Sequence, residues 1–254
     1  MDIVPPLWHN GPTPGHHYNF PGNSTVSSQK PVSVTQSPSA TGSSVIGLCY
    51  EGGVMIAADT LVSYGSMARF KGISRLMKVN EYTTIGANGD FADFQYLQEI
   101  IEEKVINDEN MDDGFQLMPN SLHCWLTRVL YNRRSKFDPL WNSIVVAGIQ
   151  DGEPFLGHVD KIGTAYKDKC VVTGGLGGMI GITLLRDVLE KKPNLSEAEA
   201  RQAIEKCMET IFCRDGRSYF KYEIANCTKD GVKIEGPYDV TPNWEIAKHI
   251  VGYE

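Results

Sequence analysis

Gly42-Ser43-Ser44-Val45-Ile46-Gly47-Leu48-Cys49-Tyr50-Glu51-Gly52-Gly53-Val54-Met55-Ile56-Ala57-Ala58-Asp59 is the stretch on which the fold turns. Two short apolar runs, Val45 to Tyr50 and Val54 to Asp59, flank Glu51-Gly52-Gly53. Apolar runs of this length bounded by glycines read as strands, and the glycines can supply the positive φ of a tight turn. The stretch therefore predicts a β-hairpin.

Upstream of it, residues 1–42 are rich in Pro, Gly, Ser, Thr and His and show almost no aliphatic periodicity. Such a segment buries too little apolar surface to offset its ordering entropy. It is expected to be an irregular leader, either a loose tail or a removable segment, with order beginning near Ser44 and a single domain spanning 43–254. His9, His16 and His17 lie in the leader and are too irregularly spaced for a metal site.

Downstream, Leu76 to Val79 and Thr83 to Ala87 predict a second hairpin. The period then changes. Asp90 can cap a helix carrying Phe91, Phe94, Leu97, Ile101 and Val105 on one stripe. A second helix is expected from Asn120 or Ser121 to about Lys136, and Pro139 bars its continuation. Strands resume at Ser143 to Ile149 and Phe155 to Val159 around Asp151-Gly152. Ile180 to Leu189 reads as helix, and Ser196 with Glu199 forms a capping box for another reaching about Cys213. Tyr219 to Thr228 and Val232 to Glu235 make a last hairpin, and Ile246 to Ile250 a short closing helix. Strand blocks separated by helix pairs suit an α+β fold of two sheets packed face to face with helices outside. Periodicity leaves other α+β folds open.

Composition narrows the function. The 254 residues, 41% hydrophobic and 22% charged, suit one soluble globular domain. A net charge of -7 argues against a dedicated nucleic-acid or anionic-membrane binder. No apolar run approaches the roughly 18 residues of a spanning helix, and the N-terminus lacks the basic start and apolar core of a secretory signal. The six cysteines form no CxxC pair and are read as reduced thiols. The sequons at Asn23, Asn194 and Asn226 are then accidental. The chain has no GxSxG elbow, Walker loop or HExxH. Thr173-Gly174-Gly175-Leu176-Gly177-Gly178 lacks the lysine of a phosphate loop and reads as a place of close backbone approach. Met67, Met77 and Met179 read as core or interface filler.

Gly42-Ser43-Ser44-Val45 followed by Gly53-Val54-Met55-Ile56-Ala57-Ala58-Asp59 resembles the opening of proteasome β subunits, members of the N-terminal nucleophile hydrolase superfamily. The likeness continues through Ser63-Tyr64-Gly65-Ser66, Gly89 to Tyr96, Tyr131 to Lys136 and Pro139 to Asn142. It goes on through Arg214 to Ser218 and Asn243 to Ala247, so it spans about residue 35 to the C-terminus. Several of these stretches are typical of a non-catalytic paralogue. The resemblance implies a four-layer αββα sandwich.

In active members of that family a threonine freed after glycine attacks the peptide carbonyl and passes its proton to an amine. The resemblance puts the nucleophile position on Ser43, the lysine position on Arg75, the supporting carboxylates on Asp59 and Asp215, and a supporting serine on Ser218. Serine keeps a hydroxyl, but a hydroxyl needs a proton acceptor. Lysine can lose its charge on burial, whereas guanidinium stays charged. The glycine-rich loop, which resembles T-G-S-G-S in active members, has no serine here. These positions are therefore read as vestigial, with Asp59 and Asp215 expected to pair with Arg75 and hold strands together.

The resemblance further implies trimming of the leader near Thr35 by a neighbour, which would cover Ser43. It implies a structural place in a 28-subunit hetero-oligomer of α and β subunits that supports ubiquitin-dependent protein degradation by active neighbours. Contact with regulatory particles would be indirect, the location cytoplasm and nucleus, and no cofactor or metal is called for. Arg133, Arg134 and Lys136 read as a solvated helix end favoured by the dipole, to which the resemblance adds a subunit contact. Two other readings remain: a weak N-terminal serine peptidase using Ser43, and a free-standing assembly or adaptor protein.

Overall fold

A computed structural model of the chain describes residues 37–114, 116–245 and 252. Thr35, the rest of the leader before residue 37 and the helix expected at Ile246 to Ile250 lie outside the described residues.

In chain order the strands are β1 (Ala40–Gly42), β2 (Val45–Tyr50), β3 (Gly53–Asp59), β4 (Leu61–Tyr64), β5 (Met67–Lys71), β6 (Leu76–Lys78) and β7 (Thr83–Asp90). Two helices follow, α1 (Phe91–Met111) and α2 (Pro119–Ser135). Next come β8 (Asn142–Gln150), β9 (Glu153–Val159), β10 (Ala165–Lys167) and β11 (Cys170–Thr173). A π-helical turn at Gly177–Gly181 runs into α3 (Ile182–Lys191). Then α4 (Glu197–Arg214), β12 (Lys221–Thr228) and β13 (Gly231–Asp239) complete the described elements.

The opening stretch forms the hairpin its sequence predicts, with β2 and β3 antiparallel from Val45↔Ala58 to Tyr50↔Gly53. It forms the interior of one sheet, ordered β11-β2-β3-β12-β13. The other sheet runs β10-β9-β8-β7-β1-β4-β5, with β6 also paired to β7.

Strand periodicity sorts the core into three layers between four tiers. On β8, Ile144 and Val146 face α1 and α2, joining Phe94, Leu97, Ile101, Leu122 and Leu126. The alternate residues Val145 and Ala147 face inward, meeting Val45, Val54 and Ile56 of the opposite sheet. On β2, Ile46 and Leu48 face outward against Leu185 of α3 and Ile204, Met208 and Ile211 of α4. The result is the expected αββα sandwich.

Helix boundaries follow their caps. The Asp90 carboxylate accepts the Ala92 amide to start α1. Pro119 occupies the first turn of α2. The Ser196–Glu199 capping box opens α4.

Order begins earlier than expected. Ala40–Gly42 is a strand, paired antiparallel to β4 through Ala40↔Tyr64 and to β7 through Gly42↔Gly89. The tail end of the segment read as leader is thus built into the sheet, because pairing on both edges supplies what its side chains do not.

Candidate functional site

The site lies where the chain crosses between sheets. β1 belongs to one sheet and β2 to the other, so Ser43 and Ser44 form a crossover. β3 and β4 are divided in the same way, so Thr60, directly after Asp59 at the end of β3, forms a second crossover beside the first. Arg75, just before β6, reaches into the gap and is 1% exposed.

Its guanidinium makes five hydrogen bonds. Nε donates to the Asp59 carbonyl at 3.0 Å. Nη1 donates to the carbonyls of Ser43 at 2.9 Å and Ala87 at 3.2 Å. Nη2 donates to the Ser44 carbonyl at 2.9 Å and to the Asp59 carboxylate. These match the five N–H groups of the side chain. Arginine is suited to the place because its planar fork ties both crossovers and β7 together.

The Asp59 carboxylate is equally engaged. One oxygen takes Arg75. The other accepts the Ser43 hydroxyl at 2.7 Å and the Tyr219 amide at 2.9 Å. The Ser43 hydroxyl therefore points at a carboxylate that a buried cation already compensates.

Asp215 does not pair with Arg75, contrary to expectation. It ends α4, and its carboxylate accepts the Arg217 amide at 2.9 Å. This is an Asx-turn, in which a short carboxylate satisfies the backbone two residues on. The Ser218 hydroxyl donates to the Asp215 carbonyl at 2.8 Å. The Asp215–Ser218 turn thus touches the site through its neighbour, the Tyr219 amide on Asp59. Asp59, Arg75 and Ser43 come together, while Asp215 and Ser218 support the turn beside them.

The glycine-rich loop meets Ser44. Its hydroxyl donates to the Gly174 carbonyl at 2.9 Å and accepts the Gly177 amide at 3.1 Å. A Cβ on Gly177 would lie 2.5 Å from Ser44 Cβ, so the loop has no room for a serine there. Gly42 is similarly constrained, since a Cβ on it would lie 2.6 Å from Arg75 Cδ. Sequence reasoning missed Ser44, Tyr219 and Ala87. Ser44 was findable as a second hydroxyl in the opening motif. Tyr219 and Ala87 contribute backbone atoms, which carry no side-chain signal.

Outside the site, burial pushes the Cys207 and Cys227 thiols up to about 12, so they behave as inert core groups. The six cysteines are unbridged. Of the three methionines read as filler, Met77 is buried, whereas Met67 and Met179 are exposed. Among the described residues, no group of His, Cys, Asp or Glu is arranged to hold a metal ion, and no helix is long and apolar enough to cross a membrane.

A family model described as "Proteasome subunit" matches residues 39–227. The chain is 50% identical over 244 residues to the proteasome subunit beta type-4 of Xenopus laevis, covering 96% of this chain and 98% of that protein. It is 42% identical over 262 residues to the subunit of the same description in Drosophila melanogaster, covering 99% and 97%. It is also 37% identical over 233 residues to the proteasome subunit beta type-7 of Saccharomyces cerevisiae, covering 88% and 87%. With the αββα sandwich and the Ser43–Asp59–Arg75 arrangement already in place, these likenesses agree: the chain belongs to the proteasome subunit family, as one of its β-type members.

Proposed function

We propose that the chain is a non-catalytic structural β subunit of the proteasome core particle. It holds its neighbours in register and supports ubiquitin-dependent degradation carried out by active subunits. The reading is carried by Arg75, which commits all its N–H groups to structure where the family resemblance puts a proton-accepting lysine. A permanently charged guanidinium cannot take a proton from Ser43. The Ser43 nitrogen is in a peptide bond with Gly42, and β1 fills the slot between β4 and β7. Trimming near Thr35 leaves both in place and denies Ser43 a free amine.

The assembly is the 28-subunit hetero-oligomer of α and β chains, with regulatory particles engaged indirectly, in cytoplasm and nucleus. The similarity to chains named proteasome subunit beta type-4 over nearly the full length supports this placement.

Size fractionation of native lysate followed by intact-mass measurement of the chain tests the proposal. Co-elution with a large multi-subunit particle, and a mature chain beginning upstream of Gly42, are expected. A chain that starts at Ser43 and is labelled there by an electrophilic inhibitor would establish a serine peptidase instead. A chain running apart from any particle would indicate a free-standing adaptor.

A further inference from the structure

Strand β9 places Leu156 in the apolar layer between the sheets, and alternation puts His158 on the same face. The His158 side chain is 9% exposed. Its Nε2 lies 3.1 Å from the Thr173 hydroxyl on β11, in the opposite sheet. Its Nδ1 is buried without a hydrogen-bond partner. The Tyr166 ring of β10 lies 4.9 Å away between centroids. From the helix side, His123 of α2 places its Nε2 3.1 Å from the His158 carbonyl. That approach is possible because residue 157 is glycine, where a Cβ would lie 2.6 Å from His123 Cδ2.

A neutral imidazole has one donor nitrogen and one acceptor nitrogen. In either tautomer, one nitrogen of His158 meets Thr173 and the other is bare. Protonation makes both nitrogens donors: Nε2 can then no longer accept from the Thr173 hydroxyl, and the bare Nδ1 carries a proton that nothing accepts. The charge would also sit in a buried place. The titratable and charged groups facing it are Asp160 at the end of its own segment, His123 on α2 and Tyr166 on β10. Asp160 favours the charged form and His123 opposes it. Burial dominates, holding the affinity of His158 for a proton below that of an exposed imidazole.

Thr173 is also the last residue before the glycine-rich turn. The next residue, Gly174, accepts the Ser44 hydroxyl, and Gly177 donates to it. A continuous set of contacts thus runs from α2 through His158 and Thr173 to the crossover at Ser43 and Ser44.

We infer that His158 is an acid-sensitive pin between the two sheets, whose protonation breaks the contact with Thr173 and loosens the glycine-rich turn on Ser44. The charged side chain gains by leaving its slot for water, and Thr173 then loses its partner across the sandwich. The device belongs to the fold and does not depend on whether the chain cuts peptides.

Amide hydrogen exchange of the full-length protein in its native assembly tests this, comparing about pH 7.5 with about pH 5.5 after correction for the chemical rate. Peptides covering 170–181 are expected to exchange several-fold faster at the lower pH and to recover on return, with β8 unchanged. His158→Gln keeps a side chain that can meet Thr173 but does not titrate, and it should abolish the pH effect. Equal protection at both pH values in the unaltered protein would overturn the inference, as would an acid effect that persists in the variant. Should the variant fail to accumulate, imidazole Cε1–H exchange on the unaltered protein reads the titration of His158 directly. A midpoint below that of an exposed histidine supports the pin, and an ordinary midpoint refutes it.

Discussion

Arg75 and Asp59 form an ion pair in which each side chain is 1% exposed, joining the end of β3 to the segment just before β6. Removing one partner of a buried pair strands the other charge away from water, at a cost of about 3–5 kcal/mol. Arg75→Ala is therefore expected to lower the unfolding free energy by about that much, or to stop the chain accumulating. Arg75→Lys restores the charge but offers three donors where five are used, and should fall between. Urea unfolding of the purified chain reads both.

The close approach of Gly42 to Arg75 gives a coupled prediction. Gly42→Ala puts a methyl where Arg75 Cδ lies. Overpacking of this kind costs about 1–3 kcal/mol. In an Arg75→Ala background the same change should cost much less, since the obstructing side chain is gone. Equal costs in the two backgrounds, measured by a double-mutant cycle, would show that the two residues do not contact.

His123 supplies a pH dependence with a definite sign. Burial lowers its proton affinity below the ordinary value of 6.5. Between the folded and unfolded values the unfolded chain binds more protons, so stability rises with pH. Stability should accordingly fall as pH drops below about 6.5 and level off once the folded form also takes up the proton. His123→Gln should flatten that slope in denaturant titrations at successive pH values.

Asp90 does two jobs. One carboxylate oxygen caps α1 at the Ala92 amide, and the other accepts the Ser39 amide, which anchors the entry to β1. Asp90→Ala is expected to cost about 1–2 kcal/mol. Asp90→Asn keeps one acceptor and should cost less. Thermal melting of the two variants compares them.

Legibility in the sequence follows the strength of local signals. The β2–β3 hairpin, the Asp90 cap and the Ser196–Glu199 box each carry a short-range code, and each forms as expected. β4 was missed because Thr60 alone divides it from β3, with no glycine or proline to mark the crossover. β5 was missed because all five of its residues are exposed and no face is patterned for burial. β1 depends on pairing with residues 20 and more positions away, and nothing local announces such a contact. The Arg75–Asp59 pair was expected, but Asp215 was assigned to it wrongly. The Asp215-Gly216-Arg217 turn competes for that carboxylate, and a local hydrogen bond two residues on needs no tertiary closure.

A structural role for the chain requires that Ser43 not act as a nucleophile. Ser43→Ala in a particle whose other peptidase sites have been inactivated tests it most directly. Residual peptidase activity unchanged from that of the same particle carrying Ser43 is the expected result. A loss of peptidase activity confined to the Ser43→Ala particle would contradict it.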